Sequence, residues 1–194
     1  MPYQDSPIRS AASSAPPVST LAAVRRRPIL GIDPGLLRTG YAFLCPRATG
    51  DATLVEAGIV RLNPKQALEL RLAELERNLD ELIRAHQPHT LACEQLYSHY
   101  KHPRTAILLG HARGVILALA ARHGLTVLPV AATHVKKLLT GNGHAGKVQM
   151  QRAVAAALQL LKLPEPHDVA DAIAIALCGV YLHRAAVRAG EDGP

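Results

Sequence analysis

The chain has 194 residues, 48% of them hydrophobic and 19% charged, proportions that suit one domain with a full core better than two small ones. Its 22 Lys and Arg against 15 Asp and Glu leave a net charge of +7, which turns expectation away from acidic or neutral small molecules and toward polyanions. Three cysteines, Cys45, Cys93 and Cys178, odd in number and without metal-type spacing, argue against a disulfide framework and for a reducing, cytoplasmic setting; no apolar run approaches the roughly 20 residues of a membrane span, so no membrane association is expected.

Residues 1–27 are rich in Ser, Ala and Pro, end in Arg25-Arg26-Arg27 and lack either periodicity, so they read as a disordered extension outside the fold. From Pro28 strand-like segments follow at 29–33, 39–45 and 53–62, parted by turns short enough for an antiparallel meander. Leu68, Leu72, Leu75, Leu79, Leu82 and Ile83 recur at three- and four-residue steps and predict an amphipathic helix over 66–86. The apolar run 90–93 then reads as a buried strand entered by a parallel crossover. A helix is predicted from Pro103 to His123, stopped by Gly124, and a fifth strand over 125–130. A short helix at 135–139, a glycine-rich loop at 141–146 and helices over 147–162 and 168–184 complete the pattern. Three antiparallel strands followed by alternating helix and strand predict an α/β fold over residues 28–184, with 185–194 left as a C-terminal tail.

Charge is distributed unevenly. Between Glu94 and Glu165 there is no Asp or Glu, while Lys101, Arg104, Arg113, Arg122, Lys136, Lys137, Lys147, Arg152 and Lys162 all fall there. Ordinary surfaces mix both signs, so this stretch reads as a phosphate-facing half, with a solvated basic surface as the plainer alternative. The loop Gly141-Asn142-Gly143-His144-Ala145-Gly146 permits close approach of backbone to phosphate, and Lys136, Lys137 and Lys147 flank it.

Four carboxylates stand out against their surroundings. Asp33 closes the apolar strand Ile29-Leu30-Gly31-Ile32, and Glu94 closes Leu91-Ala92-Cys93. An ionised group at such a place is costly unless it has a partner, although an Asp before Pro-Gly also serves as a turn cap. If the two strands are neighbours, both acids reach one pocket beyond their carboxyl ends. Asp168 and Asp171 are three apart on a predicted helix and share a face; a cap or dipole role explains Asp168, but Asp171 lies deeper in an apolar helix. Four acids meeting at one point would repel, and two divalent cations are the physical remedy. All-oxygen ligands favour Mg²⁺ or Mn²⁺ over Zn²⁺, and two such ions about 3.5–4 Å apart suit phosphodiester hydrolysis.

In order and nearly in register, Ile29-Leu30-Gly31-Ile32-Asp33-Pro34-Gly35 with Thr39-Gly40-Tyr41, Glu94-Gln95, Gly110-His111-Ala112-Arg113-Gly114, Val135-Lys136, Gly141-Asn142-Gly143 with Lys147, and Asp168-Val169-Ala170-Asp171-Ala172-Ile173-Ala174 resemble the RuvC family of bacterial Holliday-junction resolvases. The resemblance spans roughly residues 28–183. It implies a ribonuclease H-like fold with a five-stranded mixed sheet, three strands antiparallel and two parallel. It also implies a homodimer whose two sites nick opposed strands of a four-way DNA junction, in cooperation with the RuvA and RuvB branch-migration proteins. Carried over by position, Asp33, Glu94, Asp168 and Asp171 fall on the family's catalytic metal-binding acids. Tyr97 falls where relatives place an aromatic that stacks on unpaired bases, a core aromatic being the alternative. Lys136 and Lys147 fall near the scissile phosphate. Lys137 and Arg113 join them as expected DNA contacts, Lys137 on its charge alone. The main departure is Tyr97-Ser98-His99-Tyr100-Lys101-His102-Pro103, where the family carries an aromatic pair followed by Ala-Lys-Asn. His167, beside Asp168, is a further candidate ligand or proton acceptor, with a plain exposed helix start as its alternative.

Two other classes compete. A non-catalytic junction-binding protein on the same scaffold would gain nothing from a costly carboxylate cluster. A phosphotransferase of the sugar-kinase and actin superfamily would need a second phosphate-binding glycine motif, which the chain does not display.

Overall fold

The computed structural model describes residues 27–47, 51–96 and 103–191. In chain order the elements are β1 (Ile29–Asp33), β2 (Arg38–Pro46), β3 (Ala52–Arg61), α1 (Leu68–His86), β4 (Thr90–Glu94), α2 (Pro103–Arg122), β5 (Thr126–Val130), α3 (Ala132–Thr140), α4 (Lys147–Ala157) and α5 (His167–Glu191). One sheet has the order β3-β2-β1-β4-β5. β1 pairs antiparallel with β2 and parallel with β4, and β5 continues the parallel side. The expected mixed sheet, three strands antiparallel and two parallel, is what forms.

β1 is the middle strand, and a strand covered on both faces must be apolar throughout. Ile29, Leu30 and Ile32 are accordingly buried. On one face α5 packs Val169, Ile173, Ala176 and Leu177 against Ile29, Ala42 and Ala92. On the other, α1 and α2 bring Leu75, Leu79, Ile116 and Leu119 over Leu30, Ile32 and Phe43. The α5 layer is thin because its seam is built from small residues. A methyl group added at Gly31 would lie 2.4 Å from the Ala176 amide nitrogen and 2.5 Å from the Ala172 carbonyl. The helix backbone rests directly on the strand.

Three boundaries depart from the sequence expectation by three residues or more. α4 stops at Ala157 rather than Lys162, because Gln159 turns left-handed at φ 53° and the Leu160 amide donates to the Ala155 carbonyl. This is a Schellman ending with glutamine where glycine is usual, and Leu158 and Leu160 go on to pack against the core. α3 starts three residues early, at Ala132, behind a side chain that offers no cap. α5 runs on to Glu191, so the segment assigned as a tail begins as helix; Ala185, Ala186 and Arg188 contain nothing that stops one. The reading of membrane-length apolar runs also needs correction. Residues 104–122 and 167–186 are each long and apolar enough to cross a bilayer by length and composition, and 61% of the second is buried as the core helix. Only 22% of the first is buried.

Candidate functional site

The register of β1 and β4 places Ile32 opposite Cys93, so Asp33 and Glu94 leave the sheet side by side at the carboxyl ends of two parallel strands. The third contributor is the first turn of α5. At Gly40, the register partner of Asp33, an added methyl would lie 2.1 Å from the Asp168 carbonyl oxygen. The absence of that methyl lets α5 begin directly over β2 and project Asp168 and Asp171 toward the two strand ends.

Electrostatics show the four acids acting on one another. Burial, then Glu94, Asp171 and Asp168, push the Asp33 carboxyl up to about 7, against the pull of Lys147. Glu94 is raised by burial and by Asp171, with Lys136 opposing. Asp171 is raised by burial, while Lys147 and Lys136 lower it and Asp168 adds to the rise. Asp168 also faces Arg38, whose Nη1 lies 3.8 Å from Oδ2. A cleft of about 190 Å³ opens between these groups, lined by Glu94, Asp171, Lys136 and Lys147 over a floor including Val135 and Met150. As the side chains stand, no three His, Cys, Asp or Glu among the described residues are grouped closely enough to hold an ion. The donor set nevertheless fits a hard cation: it consists of half-buried carboxylate oxygens.

The expected site residues separate into groups. The four acids and the lysines Lys136 and Lys147 come together. Lys137 is exposed on α3 and does not line the cleft. Arg113 turns inward, its Nε donating to the Glu94 carbonyl at 3.0 Å. His167 opens α5 within electrostatic reach of Asp171, and its Nδ1 is buried without a hydrogen-bond partner. Tyr97 lies outside the described residues. The glycine-rich loop is folded on itself: Gly141 ends α3 at φ 74°, and Asn142 Oδ1 accepts from the His144 amide. Nor is the acid-free stretch free of acids in space, since Arg122 pairs with Glu76 and Asp80, and His123 Nε2 lies 2.7 Å from Asp80. The pairing of Arg38 with Asp168 had no signal in the sequence, because an Arg opening a strand is ordinary.

Comparison with known proteins yields one consistent set. Residues 29–179 match the family model described as crossover junction endodeoxyribonuclease RuvC. A protein of that name from Rhodopirellula baltica is 51% identical over 154 residues, covering 79% of this chain and 86% of the relative. Another from Gloeobacter violaceus is 41% identical, covering 80% and 88%. The structure of Thermus thermophilus RuvC in complex with Holliday junction substrate superposes with a TM-score of 0.77 at 28% identity, over 82% of this chain and 96% of that one. The yeast mitochondrial Holliday junction resolvase, at 18% identity and a TM-score of 0.56, shares the fold.

Proposed function

This chain belongs to the RuvC family of crossover junction endodeoxyribonucleases, and from that premise we propose that Asp33, Glu94, Asp168 and Asp171 hold its metal ions against a phosphodiester of a four-way DNA junction. The enzyme is an endodeoxyribonuclease that resolves Holliday junctions. The observation that supports the assignment of residues is the convergence of the ends of β1, β4 and α5: Asp33, raised to about 7 first by burial, is raised further by Glu94, Asp171 and Asp168, and Glu94 and Asp171 line one cleft with Lys136 and Lys147.

We propose two ions, Mg²⁺ or Mn²⁺, since every donor is a carboxylate oxygen. Such ions, when bound, activate water and offset charge on the phosphate. The chain's own residues do the rest. Asp33 and Glu94 are fixed to the sheet and set the position of the site. Asp168 and Asp171 close it from the helix. Lys136 and Lys147, lining the same cleft, bind phosphate oxygens and stabilise charge that develops during cleavage. Lys137 contacts the DNA backbone farther out, and Tyr97 stacks on unpaired bases at the junction centre.

Resolution requires two cuts, and we place the second active site on a second copy. α2 supplies the surface: Ile107 is 62% exposed, and a groove of about 560 Å³ runs past Leu72, Gly110, His111, Gly114 and Val115. Additional atoms at Gly110 and Gly114 would meet nothing within 4 Å, so another helix can approach closely there. The dimer acts in the cytoplasm together with RuvA and RuvB. The test is a synthetic four-way junction incubated with Mg²⁺. Asp33→Asn is expected to lower nicking by at least about 10³-fold while junction affinity, measured without divalent ions, stays within about threefold. Undiminished cleavage by that variant refutes the assignment.

A further inference from the structure

The main chain at Glu94 has an unusual need, and α2 meets it. In a parallel ladder a residue's amide and carbonyl face the same neighbouring strand, and successive residues alternate sides. The Gln95 amide donates to the Val130 carbonyl of β5 at 2.8 Å, so the Glu94 carbonyl faces β1. Continuing the Ile32–Cys93 register by one residue pairs Glu94 with Asp33, and the donor for the Glu94 carbonyl would then be the amide of residue 34. Residue 34 is proline and has no amide hydrogen. The ladder therefore runs out of donors at the residue that carries the acid. Arg113, 19 residues further along on α2 and half-buried, supplies the missing one: Nε to Glu94 O, 3.0 Å. The Cys93 thiol lies against the same carbonyl at 3.8 Å, a far weaker donor.

From this we infer that Arg113 is a positioning residue for the nuclease reaction, tying the end of β4 to α2 with a hydrogen bond that stands in for the one Pro34 cannot make. The inference deepens the reading of the four acids as metal ligands and rests on it. Without the guanidinium the Glu94 carbonyl loses its strong donor, the end of β4 is held less firmly, and the Glu94 carboxylate drifts from Asp33. Groups behind metal ligands typically matter by 10–100-fold in metal affinity or activity. The role also explains why this cation points inward although it lies on the acid-free stretch.

The experiment measures three quantities on the full-length chain: Mn²⁺ affinity without DNA by titration calorimetry, junction affinity without divalent ions, and kcat on a four-way junction. Arg113→Met is expected to weaken Mn²⁺ binding and lower kcat by about 10-fold or more, with junction affinity within about twofold of the parent. Arg113→Lys, which keeps a donor, should recover both to within about threefold. The decisive variant adds Pro34→Ala to Arg113→Met, restoring an amide at residue 34, and it should regain most of the lost Mn²⁺ affinity. Loss of junction affinity in step with kcat at unchanged Mn²⁺ affinity would make Arg113 a DNA contact and overturn the inference. Parental values in Arg113→Met, or no rescue by Pro34→Ala, overturn it equally. If Arg113→Met does not fold, Arg113→Lys decides, and a tenfold loss of Mn²⁺ affinity there counts against the idea. A parent chain that binds no Mn²⁺ overturns the metal-site reading itself.

Discussion

Asp33, proposed as a metal ligand, also bears on stability through its proton. Its carboxyl titrates near 7 in the folded chain because burial and three acids disfavour the charge, whereas an unfolded Asp titrates near 3.9. Between those values the folded state binds more protons than the unfolded one. Metal-free stability is therefore full below about pH 4 and declines as pH rises through about 7, by up to ~4 kcal/mol. Asp33→Asn removes the charge, so in EDTA at pH 8 that variant should melt above the parent, and the advantage should shrink to nothing by pH 4; differential scanning calorimetry at several pH values checks both. Adding Mn²⁺ at pH 8 should raise the parent's Tm more than the variant's. Equal melting of the two proteins at pH 8 contradicts the burial and crowding described for this site. Asp33 and Glu94 were legible in the sequence because an ionised group at the end of an apolar strand demands an explanation. Arg113 was legible as part of a family motif and as a DNA contact, but not as the partner of a carbonyl, which no residue type signals, and the proline that gives it this purpose stands 79 positions earlier.

At the level of elements, α5 does the most to place the site, and it does so through contacts that depend on missing atoms. Gly40→Ala would drive a methyl into the Asp168 carbonyl and lift the first turn of α5. Overpacking of this kind costs about 3 kcal/mol, and displacing reacting groups by about 1 Å can cost 10²-fold in rate. The variant should unfold at lower urea and nick at least about 100-fold more slowly. Gly110→Ala, on the open face of α2, should keep the monomer's stability within about 1 kcal/mol. The strands and α1 were readable from periodicity, and so was the α/β class. The end of α4 was not: Leu158, Leu160 and Leu161 prolong the apolar pattern, and the stop is a left-handed glutamine rather than glycine or proline. The close seating of α5 was hidden for a related reason, because Gly31 and Gly40 inside strands advertise only that something approaches, not what.

For the molecule as a whole, the two faces of α2 divide its tasks. Ala112, Ile116 and Leu119 enter the core and Arg113 reaches Glu94, while Ile107, Gly110 and Gly114 remain outside. Gly110→Leu should therefore leave the far-ultraviolet circular dichroism intact, shift sedimentation toward monomer, and convert paired cuts into single nicks on a junction held in supercoiled plasmid. Unaltered sedimentation would refute α2 as the proposed dimer surface. The net positive charge was a sound guide to a polyanionic substrate, but linear sequence overstated the size of the basic half: Arg122 and His123 are spent on the acids of α1, and spatial proximity across 43 residues is invisible to a count along the chain. The position of α5 has one more effect. Asp168 and Asp171 leave the ribosome after every strand has been made, and they join Asp33 and Glu94 only once the helix has settled on the completed sheet. A nascent chain that has not yet reached α5 thus carries only two of the four acids proposed to hold the metal.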